Sequence, residues 1–172
     1  LTTRGEPGHG SRPQATSAVT RLVSALDRLR EYEFPVRVIP AVEAYFRGLA
    51  TTAGQKWRSR YANIGMAIRD PEVAAELRRE SPGHYGLIRN TCSMTRLSGS
   101  DKINVIPTEA WAELDCRLLP DQDPDEFLDE LGEVLGDDVE VKTLMGFTPA
   151  QSSAETGLFR MIEDTTEAHF PG

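Results

Sequence analysis

From Thr16 to Arg30 the apolar residues Val19, Leu22, Val23, Leu26 and Leu29 return at helical spacing, while Arg21, Asp27, Arg28 and Arg30 fill the other face. That period predicts an α-helix with one stripe to bury. Residues 35 to 90 are less regular. Val42, Tyr45, Phe46 and Leu49 trace one helix, and Asp70-Pro71 has the chemistry of an N-cap followed by proline at the first helical position. This stretch reads as a helical insertion. After it the period falls to two. In "TCSMTRL", Cys92 and Met94 alternate with Thr91, Ser93 and Thr95. In "TEAWAELDCRLLP", Ala110, Ala112, Leu114, Cys116 and Leu118 share one face, opposite Trp111, Glu113, Asp115 and Arg117. These are two strands with one buried face, joined through "SGSDKINVIP". Helical spacing returns in "DQDPDEFLDELGEVLG". There Asp123 caps, Pro124, Asp125 and Glu126 suit the positive end, and Gly136 terminates. Its stripe is Phe127, Leu128, Leu131, Val134 and Leu135. Val139 and Val141 predict a last strand, and Leu1 to Arg4 is extended in character, the inner part of a first one.

The order is therefore β-α-(insertion)-β-β-α-β, an α+β class. It is the order of a ferredoxin-like βαββαβ two-layer sandwich, in which both helices cover one face of a four-stranded antiparallel sheet. The expected domain runs over residues 1–150, with the helical insertion at about 35–90, between the first helix and the second strand. Ser152 to Ala168 predicts one more helix, with Leu158, Phe159 and Ile162 apolar. Residues 151–172 form a tail that has no obvious place in a four-stranded sandwich.

Composition narrows the partners. A length of 172 residues suits one domain with an appendage. A net charge of -8 argues against nucleic acid, whose binders carry a basic surface field. No apolar run approaches the roughly 20 residues that span a bilayer, and no signal-peptide core is visible, so a soluble, cytoplasmic protein is expected. Cys92 and Cys116 are too few for a disulfide scaffold and lack CxxC spacing, which favours buried free thiols.

The chemistry concentrates in "GEPGHGSRP", residues 5–13, where His9 stands between two glycines. Glycine lets the backbone bend sharply and lets another group approach closely, which suits a site and an ordinary turn alike. Asn104 in "NVIP" suits a turn before Pro107, and Arg117 suits a charge pair with Asp115 two residues away.

Together, "GEPGHGSRPQATSAVTRLVSALDRL" and the downstream "NVIPTEAWAELDCRLLP" resemble the lid, or dimerisation, domain of the M20 metallopeptidase and aminoacylase family. The resemblance covers Leu1 to about Met145 apart from the insertion, and the tail resembles the return of such chains to a catalytic domain. It implies a homodimer acting on a peptide or N-acyl amino acid. It also implies that His9 reaches the partner subunit's active site as a hydrogen-bond donor to the tetrahedral intermediate. Asn104 and Arg117 match positions that face substrate, the arginine being suited to a bidentate carboxylate contact.

Enzymes of that family carry two zinc ions in a separate catalytic domain. Here His9, His84 and His169 are scattered, with no HxD or HxxEH spacing, so no metal ligands are assigned. The chain reads as part of a longer zinc hydrolase and is expected to be inactive alone. Two other classes stay open: a small-ligand regulatory module that offers backbone N–H groups at the start of the first helix, and a pure oligomerisation domain.

Overall fold

The computed structural model describes residues 1–170. The chain forms β1 (Thr2–Arg4), β2 (Gly8–His9), α1 (Ala18–Glu31), α2 (Pro40–Thr52), α3 (Gln55–Ala62), α4 (Ile64–Ala67), α5 (Pro71–Glu80) and α6 (Pro82–Gly86). It continues with β3 (Thr91–Ser98), β4 (Val105–Ile106), β5 (Glu109–Arg117), α7 (Pro124–Leu135) and α8 (Gly157–His169).

Each sandwich helix begins where its side chains take up the free N–H groups of the first turn. Ser17 and Thr20 form a reciprocal capping box at α1, and Asp123 accepts from the N–H groups of Asp125 and Glu126 at α7. Gly136, at φ 79°, ends α7 in a backbone conformation that favours glycine. Leu22, Ala25, Leu26 and Leu29 of α1 and Phe127, Leu131 and Leu135 of α7 are buried. Their cores take in Ala110, Ala112, Leu114 and Cys116 of β5, so both helices cover the face that alternation predicted. Each large side chain so buried contributes about 1.5–3 kcal/mol.

The sheet order is β1-β5-β3, all antiparallel. The expected fourth strand is not formed. Only Glu140 bridges Thr2, by two backbone hydrogen bonds of 2.9 and 2.8 Å, before the chain leaves the sheet. The α+β class holds, while the four-stranded sheet is reduced to three strands and one bridge. Arg4 donates to Glu140 at 2.6 Å and fastens the bridge at the surface.

Two further departures concern β3. Thr95 is an extra residue opposite β5, because Met94 pairs Leu114 while Arg96 pairs Glu113. The bulge moves Arg96 to the open face and Leu97 to the helix side, which strict alternation would have reversed. The cysteines are also not free thiols. Cys92 and Cys116 face one another across the β3–β5 ladder with Cα atoms 4.1 Å apart and form a disulfide. Register brought together residues 24 positions apart, which CxxC arithmetic does not register.

The insertion has its own core. Phe46, Ile64, Leu77 and Ile88 are fully buried there, with Tyr61 and Tyr85 beside them. As expected, Asp70 caps α5 by accepting from Glu72 N–H at 2.9 Å, with Pro71 at the first turn. Polar contacts tie the insertion to the sandwich. Buried Arg89 stacks on Tyr85 and lies 3.3 Å from Glu33, and Gln122 accepts from both Arg37 and Asn90 at 2.8 Å. The tail helix α8 begins at Gly157, five residues later than the expected Ser152, ends at His169 and buries none of its residues.

Candidate functional site

Beside the main sheet stands a ladder that periodicity did not predict. β2 pairs β4 antiparallel, with Gly8 opposite Ile106 and His9 opposite Val105. Two glycines make this approach possible. A Cβ on Gly5 would fall 2.6 Å from the Ala18 nitrogen, and one on Gly10 would meet the Asn104 backbone at 3.3–3.4 Å. Gly5 thus lets the chain pass the start of α1, and Gly10 lets it close on the segment before β4.

His9 sits at the end of this ladder, exposed. The chain then reverses, and Arg12 N–H donates to the His9 carbonyl at 2.8 Å. Gly10 N–H donates to the Asn104 carbonyl at 2.7 Å, pinning the turn. Ser11 Oγ lies 2.8 Å from His9 Nδ1, and Ser11 N–H donates to the same nitrogen at 3.2 Å. His9 and Asn104, distant in sequence, are therefore brought together. Ser11 belongs to the same motif, and its role is seen in the structure. The available signal was its position two residues after the histidine in a glycine turn, where serine commonly bonds back to the chain.

Arg117 is not brought to them. It closes β5 opposite Thr91, whereas the chain that leads to β2 lies by Glu109, where Gly5 N–H donates to Thr108 at 2.9 Å. At about 3.3 Å per residue the two ends of β5 stand ~26 Å apart. Arg117 donates to Asp115 at 2.8 Å on the open face, and its side chain is 79% exposed. The same face carries Arg96, bound to Glu113 at 2.9 and 3.0 Å and stacked over Trp111.

The start of α1, considered as an anion site, is partly taken, because Thr20 N–H donates to Ser17 Oγ at 3.2 Å. Among the described residues no three His, Cys, Asp or Glu side chains converge as metal ligands, and no helix is long and apolar enough to cross a membrane. At the rim of β3, an edge that no other described strand pairs, Met94 and Leu97 are exposed, as are Val19 and Val23 of α1. Val19 Cγ2 lies 3.1 Å from where a Cβ on Gly99 would stand, so helix and edge form one patch.

Residues 1–142 match the peptidase dimerisation domain of M20 peptidases. The chain is 25% identical over 175 residues to the mouse N-fatty-acyl-amino acid synthase/hydrolase PM20D1, covering 96% of this chain and 33% of that protein. It is 26% identical over 167 residues to the probable carboxypeptidase S-like 2 of Dictyostelium discoideum, covering 95% and 31%. To the Xenopus tropicalis PM20D1 protein it is 28% identical over 151 residues, covering 87% and 29%. The chain thus spans about a third of the length of these curated relatives.

Proposed function

The chain belongs to the peptidase dimerisation domain family of M20 peptidases, and from that premise we propose that it is the dimerisation lid of a zinc-dependent peptidase or amidohydrolase. The reaction is hydrolysis of the amide bond of a peptide or N-acyl amino acid. The printed names of the relatives, N-fatty-acyl-amino acid synthase/hydrolase and carboxypeptidase S-like, favour a substrate with a free carboxylate and, in the first case, a long acyl chain.

One observation carries the reading. His9 is held by its backbone on a two-residue strand whose next residue, Gly10, is bonded to the Asn104 backbone, and its exposed imidazole lies outside every core cluster. Such a ring serves no packing purpose. Delivered by closure of the lid to a carbonyl under attack, its N–H meets the charge that develops on the carbonyl oxygen, a contact made fully only in the transition state. Asn104 faces the same substrate. Arg117 binds the substrate carboxylate bidentately, and release from Asp115 costs little because exposed pairs are worth about 0–1 kcal/mol.

Because Arg117 stands ~26 Å along β5 from the His9 end, one active site cannot take both from one chain. In a two-fold dimer each site takes His9 and Asn104 from one protomer and Arg117 from the other. The patch formed by Val19, Val23, Met94 and Leu97 along the β3 edge suits that dimer, since an unpaired edge beside apolar side chains is a surface that proteins cover.

The two zinc ions expected of such an enzyme belong to the remainder of the parent protein. Among the described residues of this chain no set of zinc ligands converges, and no step attributed to them runs through metal. Residues 151–170 lead toward that remainder, Pro171 and Gly172 lying outside the described residues, and the exposed Leu158, Phe159, Met161 and Ile162 of α8 dock on it. The cytoplasmic location expected from sequence would keep Cys92 and Cys116 as thiols, and their pairing supports an oxidising compartment instead.

Subunit exchange in the parent enzyme tests the reading. His9→Ala is expected to lower kcat by roughly 10²–10³-fold with stability unchanged, as loss of a transition-state donor does. Mixing it with a variant that lacks the catalytic-domain base is expected to restore a fraction of the activity. Demonstrated exchange without recovery sinks the role in the partner's site.

A further inference from the structure

We infer that Ser11 positions the His9 ring in its Nε2–H tautomer, so that the ring presents a donor rather than a lone pair to whatever it meets. The tautomer follows from the hydrogen bonds of the turn. Only its catalytic consequence rests on the reading above.

Two groups of Ser11 converge on one ring nitrogen. Its backbone N–H lies 3.2 Å from Nδ1. An amide N–H can only donate, so Nδ1 is the acceptor. The Ser11 hydroxyl, 2.8 Å from the same nitrogen, could by itself take either role. The amide decides between them, because a proton on Nδ1 would point into the amide hydrogen, so the hydroxyl donates as well. A neutral imidazole with Nδ1 accepting carries its proton on Nε2.

The turn makes this possible. With Arg12 N–H on the His9 carbonyl, Gly10 and Ser11 occupy its centre, and the chain curls Ser11 back onto the ring it follows. Gly10 fixes the turn to Asn104 at 2.7 Å. The same segment thus sets the place of His9, through β2, and the orientation of its protons, through Ser11. A donor role needs both.

The test uses ¹⁵N-labelled chain at alkaline pH, with His9→Ala to identify the His9 ring signals. Wild type is expected to show a protonated Nε2 and a bare Nδ1. In Ser11→Ala, which loses the hydroxyl but keeps the backbone N–H on Nδ1, the separation of the two nitrogen shifts narrows in part toward that of free imidazole, and Ser11→Thr, which keeps the hydroxyl, restores it. In the parent enzyme Ser11→Ala lowers kcat by roughly 10-fold with KM unchanged, the low end of losing a group that orients a functional imidazole. A wild-type proton on Nδ1 overturns the inference even if His9→Ala abolishes turnover; a Ser11→Ala spectrum identical to wild type overturns the hydroxyl's share and leaves the backbone N–H as the group that sets the tautomer. If the tautomer moves as described while neither variant touches kcat, the inference stands and the proposed catalytic role of His9 fails.

Discussion

The insertion and the sandwich hold themselves together differently. The insertion packs Phe46, Ile64, Leu77 and Ile88 into a core that shares no residue with the clusters under the sheet. The sandwich weaves its two clusters into one, since Leu1 and Leu114 pack against both. Between the regions run hydrogen bonds and ion pairs: Arg89 and Arg78 on Glu33, and Gln122 with Arg37 and Asn90. Apolar burial is the larger cohesive force and stays within each region, so each should open as its own unit. The candidate site belongs to the sandwich side and hangs from it by backbone pairing rather than by packing.

The largest test of that contrast is Phe46→Ala, expected to cost about 3–5 kcal/mol, the usual range for deleting a fully buried phenylalanine ring. Native-state hydrogen exchange should show α2, α3 and α5 losing protection while α1, α7 and β5 keep theirs. Loss of protection everywhere would mean one cooperative unit and break the comparison.

The converse perturbation is reduction of Cys92–Cys116. Opening the loop it closes, of 24 residues' separation, should lower the stability of the sandwich by roughly 3 kcal/mol and leave the insertion amides unchanged. Alkylation of unreduced protein reports the state directly. Two reactive thiols under non-reducing conditions would restore the free-thiol expectation and remove the support for an oxidising compartment.

The smallest effect is acid. Glu76 is held below its ordinary value of 4.5 first by the hydrogen bond from Arg60, and Glu80 first by that from Lys56 and then by that from Trp57. Carboxylates with depressed folded values contribute stability that is complete above 4.5 and is lost as pH falls through the folded values. Because Trp57 Nε1 donates to Glu80 at 3.0 Å, its fluorescence in a Trp111→Phe background should change only below pH 4.5. Glu80→Gln should remove most of that change. A Trp57 signal that responds equally in both proteins would detach the acid response from these ion pairs.

Much of this was legible in the chain. Helical period, Asp70 and Asp123 as caps, and the alternation of Ala110 to Leu118 each predict structure from contacts within a few residues, where chemistry and geometry are fixed by local spacing. His9 and Asn104 were singled out by motif. Their proximity was not visible there, because a two-residue ladder has no period. What only the tertiary structure decided depends on register between distant segments. The bulge at Thr95 turns Arg96 to the open face, and Cys92 meets Cys116 because β3 and β5 align them. Val139 and Val141 alternate like a strand, yet the chain pairs only at Glu140, since alternation marks a face and cannot supply the neighbour that a strand needs. The orientation of the His9 ring is of the same kind: residue type placed the imidazole, and the fold of the turn over it chose which nitrogen faces outward.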